Sequence, residues 1–169
     1  MTKELLSLLA GRNKAPLSAD EIRRASNVFL ALDGKVNARY DQNSNTAFHV
    51  SFESGEEFGE VVFGPDIYPG PGVVDPNSAL SLDAAAAHEL THYHRWRDKT
   101  AIHQTELKHV DEALTSPQAI FRYGHQLNGT DARLLISDAI QRLQLYLQEL
   151  GESDDPQIEA ESGSAERMT

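Results

Sequence analysis

The segment His88-Glu89-Leu90-Thr91-His92 combines residue types and a spacing that can do chemistry. On a helix, residues four apart lie on one face a turn apart, so both imidazoles can reach one metal ion. Neutral imidazole nitrogen is a good zinc ligand, and a catalytic zinc keeps one coordination position for water. Glu89 projects beside that face, where its carboxylate can take a proton from a water whose pKa the metal has lowered. Two ligands and a general base thus lie within one short segment. The chain has no cysteine, so thiolate sites and disulfides are excluded and any metal must be held by His, Asp or Glu.

A third ligand is needed, and the residues leave alternatives open. Asp98 stands ten residues after His88, where a metzincin would place its third ligand. That solution requires a glycine three residues after the second histidine, so that the chain can leave the helix and turn back. Arg95 occupies the position, and on a continuing helix Asp98 faces away from the metal. Glu112 lies twenty residues after His92, and on a second helix packed across the first it would complete a set of two histidines and a carboxylate. His94, His103, His109 and His125 form the remaining pool. His94 points elsewhere on the helix, and His109 could replace Glu112 only with the second helix rotated by nearly a turn.

HELTH followed by Glu112-Ala113 at this separation resembles the two motifs of the gluzincin, or thermolysin-like, zinc metallopeptidases. The resemblance covers residues 88–113 alone. It implies that His88, His92 and Glu112 are zinc ligands and that Glu89 is the general base. Gluzincins also use a Tyr or His to stabilise the oxyanion, for which Tyr123 and His125 are candidates by position. In thermolysin-like enzymes a carboxylate one turn after the glutamate ligand orients a ligand histidine. Here that position is Ser116, so Ser116 itself or Asp111 is left to hydrogen-bond a ligand imidazole.

These residues need elements to position them. Ser81 or Asp83 can cap a helix running through Ala84–Ala87 to about Arg97, and a second helix is predicted over Glu106 to Arg122. Upstream, Ser18-Ala19-Asp20-Glu21 has the spacing of a capping box, and Ile22, Ala25, Phe29 and Leu32 then repeat on one helical face until Gly34. Val36–Tyr40, Ala47–Phe52 and Phe58–Phe63 alternate as strands, separated by turn-forming residues, and read as a three-stranded antiparallel meander. The Gly- and Pro-rich stretch from Gly64 to Gly72 reads as a long loop just ahead of the metal-binding helix. A short helix is expected over Leu5–Leu9. A last helix begins near Asp131 and carries Ile136, Ile140, Leu143, Leu147 and Leu150 at three- and four-residue steps. That stripe predicts core packing rather than a coiled coil.

The expected fold is α+β. It is a small zincin-like domain over residues 1–150, with a short antiparallel sheet packed on the active-site helix and several further helices. Residues 151–169 carry Glu152, Asp154, Asp155, Glu159, Glu161 and Glu166 against Arg167 alone and read as an acidic disordered tail. The chain of 169 residues, 40% apolar and 24% charged, can bury a core without staples. Its net charge of −11 leaves no basic patch for nucleic acid. No run is long enough to cross a bilayer, and the short apolar start carries Glu4, so a cytoplasmic setting is expected. The function expected is zinc-dependent hydrolysis of a protein or peptide, including the case of a protease specialised for one intracellular protein. The alternative is a catalytically silent zinc-stabilised module that binds a protein partner at the loop from Gly64 to Gly72.

Overall fold

The computed structural model describes residues 11–153. The expected helix over Leu5–Leu9 and residues 154–169 of the expected tail lie outside the described residues. In chain order the elements are α1 (Ala19–Asp33), β1 (Ala38–Tyr40), β2 (Ala47–Glu53), β3 (Glu56–Phe63), α2 (Leu82–Arg97), α3 (Lys108–Tyr123) and α4 (Gly129–Ser153). Short 3-10 turns at Pro65–Ile67 and Thr105–Leu107 precede α2 and α3. The fold is α+β, with four helices and one small sheet among the described residues. None of these helices is long and apolar enough to cross a membrane.

Helix α1 starts as its capping box dictates: the Ser18 hydroxyl accepts from the Glu21 amide, and the Glu21 carboxylate accepts from the Ser18 amide at 2.7 Å. Its apolar face brings Ala25 and Phe29 into the core, where Phe29 stacks on Phe63 of β3 with ring centroids 5.3 Å apart. Helix α2 runs through the middle of the molecule. Ser81 is its N-cap, and Ala84, Ala85, Ala86 and Ala87 are all buried. Small side chains on that turn let α1 and the sheet approach closely, so the histidines one turn later are carried on a rigid element.

The sheet corrects the expected meander. Its order is β1-β3-β2, with β2 antiparallel to β3 but β1 parallel to it. Between β2 and β3, Ser54 and Gly55 both have positive φ, as a tight two-residue hairpin turn requires. Between β1 and β2 the chain instead crosses the end of β3. Asp41 closes a turn onto Asn43 and Ser44, and the Thr46 amide and hydroxyl both donate to Asp66 beyond β3. Alternation identifies strands but says nothing of their order, and this side-chain clamp decides it.

Gly64 sits where that crossing touches β3. A Cβ there would overlap the Ser44 carbonyl oxygen, a backbone atom that cannot swing aside. Gly64→Ala is therefore expected to destabilise the fold by about 1–3 kcal/mol, read as a lower midpoint of thermal unfolding. The following loop is tied down at its start. Pro65 and Ile67 are buried, and the Arg12 guanidinium donates to the carbonyls of Asp66, Ile67 and Leu80 at 2.9, 2.8 and 2.6 Å.

Helix α4 brings a second correction. Ile136, Ile140, Leu143, Leu147 and Leu150 are exposed rather than packed in the core. The face turned inward carries Asp131, Leu135, Asp138 and Ala139 instead. The helix also continues through Gly151 to Ser153, past the expected start of the tail.

Candidate metal centre

His88 and His92 project from α2 toward Glu112 on α3. The Nε2 atoms of the two rings stand 3.0 Å apart, and Glu112 Oε2 lies 3.0 Å from His88 Nε2 and 3.4 Å from His92 Nε2. Ligand atoms bound at about 2.1 Å and tetrahedral angles stand roughly 3.4 Å from one another, so the triangle has the dimensions of a shared zinc ion. Among the described residues these three form the one such metal-capable group.

The hydrogen bonds behind the rings fix where the protons are. Ser116 Oγ donates to Asp138 Oδ2 at 2.8 Å, and its single proton is then spent. His88 Nδ1, 2.9 Å from the same Oγ, must therefore be the donor in that contact. A neutral His88 consequently directs the Nε2 lone pair at the Glu112 carboxylate. Two acceptors 3.0 Å apart call for a positive charge between them, a proton or a metal ion. On the other ring, Nδ1 faces Asp111 Oδ2 at 3.8 Å, an orientation that again turns Nε2 toward Glu112. The donor set thus fits a divalent metal, and two imidazoles with a carboxylate suit zinc.

Electrostatics point the same way. Burial would raise the Glu112 carboxyl, but its contacts with the His88 and His92 rings outweigh that and hold it far below the usual carboxylate range. Burial would lower His92, yet Glu112, Glu89 and Asp111 around it shift it upward. Burial pushes the Glu89 carboxyl up, against the pull of His92 and His88, toward the range in which a carboxylate serves as a general base. Glu89 Oε2 accepts from the Phe48 amide of β2 at 3.0 Å, so the base is braced by the sheet.

The rest of the expected set divides. Asp98 is the C-cap of α2 and pairs with Arg97 and Arg122, away from the triangle. Arg95, at the position where a metzincin turn would need glycine, is buried and binds Asp111, Gln118 and the Thr100 carbonyl, locking α2 to α3. The structure does not bring Tyr123 or His125 to the site. The Tyr123 hydroxyl is buried against Asp33, which also holds His94 at 2.7 Å, on the opposite side of α2. That surrounding drives the Tyr123 phenol upward, chiefly by burial. His125 follows α3 in an exposed turn. His109 pairs with Glu149 of α4.

Chain inspection alone misses Asp138 and Arg142. Asp138 is fully buried, receives the Ser116 hydroxyl on one oxygen and the Arg142 guanidinium, at 3.3 Å, on the other. The signal was present as an acid flanked by Leu135 and Ala139 on one helical face, but the apolar stripe on the other face draws the eye to it as the core. Asp138 holds His88 in orientation through Ser116. Outer partners of this kind are worth about 10–100-fold in metal affinity. Asp138→Asn is expected to weaken zinc binding by about that factor, measured by competition with a chromophoric chelator.

The ligands open onto a cavity of about 630 Å³. Glu89, Lys108, Arg142 and the start of β2 at Ala47 and Phe48 line it. Comparison with protein-family models, with curated proteins and with solved structures finds no match for this chain. The functional reading rests on the chemistry of the site itself.

Proposed function

We propose that the chain is a zinc-dependent metallopeptidase of the gluzincin kind, in a zincin-like domain, hydrolysing peptide bonds of a protein or peptide. One observation carries the reading: three acceptor atoms of His88, His92 and Glu112 converge at zinc-ligand spacing, with Glu89 beside them at a cavity wall. A purely structural site would have no need of a half-buried carboxylate, braced by the Phe48 amide, adjoining the ligands.

When bound, zinc polarises the scissile carbonyl and lowers the pKa of water. Glu89 takes the proton from the attacking water and returns it to the leaving amine. Arg142, lining the same cavity and held by Asp138, supplies positive charge where the carbonyl oxygen becomes negative. It takes the part first expected of Tyr123 and His125, neither of which lines that cavity.

The edge strand β2 supplies the substrate track. Its Phe48 amide points away from β3 to Glu89. Since N–H and C=O of alternate residues share a side of an antiparallel strand, Val50 and Phe52 also present their backbone to the open edge. An extended peptide adding there as a further strand would run toward Glu89.

The test is cleavage of an unstructured peptide library by the zinc-loaded chain, with new termini identified by mass spectrometry. Cleavage lost on chelation and restored by zinc supports the proposal. A chain that unfolds without zinc yet never cuts would be the catalytically silent binding module instead.

A further inference from the structure

The exposed stripe on α4 has a repeat that core packing does not explain. Ile136, Ile140, Leu143, Leu147 and Leu150 follow steps of four, three, four and three residues, the a/d spacing of a helix seam. Each leaves between 44% and 64% of its surface in solvent. Scattered exposed leucines are ordinary, but five in register on one helix are a contiguous patch.

Two features single out what covers it. The first is charge. The chain carries −11, so a face bearing carboxylates would repel its own copy. From Ile136 to Leu150 the charged residues are Asp138 and Arg142, which turn inward and pair with each other, and Glu149, which pairs with His109 of α3. The positions flanking the seam are Ser137 and Gln144 on one side and Ala139 and Tyr146 on the other, all uncharged. A membrane-surface helix would carry several Lys and Arg beside its apolar face, whereas Arg133, one turn before Ile136, is the single exposed cation of α4 among the described residues. The second feature is size. The stripe exposes on the order of 500 Å² per copy, so a symmetric pair that covered it fully would bury up to about 1,000 Å², the area at which specific interfaces begin.

We infer that α4 is a homodimer interface, with the stripe of one chain packed on that of a second copy. A two-fold axis at Leu143 with antiparallel helices sets Ile140 against Leu147 and Ile136 against Leu150, leaving no stripe residue without an apolar partner. The inward face of the same helix carries Asp138 and Arg142, so the pairing would brace the wall of the metal centre from behind. The inference is independent of catalysis, since neither the seam nor its flanks enter the cavity.

Sedimentation equilibrium of the full, zinc-loaded chain decides it. The wild type is expected to show twice the mass of one chain, and Leu143→Glu the mass of a single chain with unchanged circular dichroism and zinc content. A monomeric wild type overturns the inference, as does a dimer that Leu143→Glu leaves intact. Should Leu143→Glu perturb folding, Leu143→Cys gives a second reading, because the native chain has no cysteine. Oxidation is expected to yield a covalent dimer, and recovery of monomer alone overturns the interface.

Discussion

Replacing Glu89 with Gln is expected to lower peptide cleavage by about 10²–10⁴-fold, the range that a positioned general base supplies, with zinc still bound. The separation of the two effects follows from the geometry. Glu89 lies outside the triangle of Nε2 and Oε2 atoms, so its loss leaves His88, His92 and Glu112 in place. Glutamine is nearly isosteric and its amide oxygen can still accept from the Phe48 amide, so the brace to β2 survives. What disappears is the ability to take a proton. Matched rates in single-turnover cleavage by zinc-loaded wild type and Glu89→Gln would remove the residue from the mechanism.

Glu112→Ala is expected to have the complementary outcome, a loss of zinc affinity larger than the about 10–100-fold expected of an outer partner, with activity falling in step. Removing the carboxylate deletes one of three ligands and the charge that balances the metal. Zinc binding only to the folded chain stabilises it by about 4 kcal/mol at a thousandfold excess over Kd. For a domain of this size that raises the unfolding midpoint by about 2–4 °C per kcal/mol. Differential scanning fluorimetry with and without zinc should show that rise in the wild type and little of it in Glu112→Ala. An equal rise in both would place the metal elsewhere.

The parts of the site that were legible in the sequence are those set by short-range helical geometry. His88 and His92 converge because four residues span one turn, and Ser18-x-x-Glu21 and Ser81 mark helix starts that the fold uses. Glu112 could be named only together with alternatives, since its meeting with the histidines depends on how α3 crosses α2. Arg95 settles that crossing by gripping Asp111 next to Glu112, an inter-helix contact that no local pattern reports. The parallel pairing of β1 was hidden for a similar reason, because it depends on Thr46 and Asp66 meeting across the end of β3. Helix α4 misled most. Apolar periodicity reveals an amphipathic helix but not which face meets the core, and here a buried acid, Asp138, faces inward to serve Ser116 and His88 while the aliphatic stripe faces out.

The proposed chemistry requires a metal held by two residues of α2 and one of α3. Anomalous diffraction at the zinc edge, from crystals of the zinc-loaded chain, tests that directly. It should reveal a single peak within about 2.0–2.2 Å of His88 Nε2, His92 Nε2 and a Glu112 carboxylate oxygen, with Glu89 outside bonding distance. A peak held by other residues, or none at this triangle with zinc in excess, would contradict it.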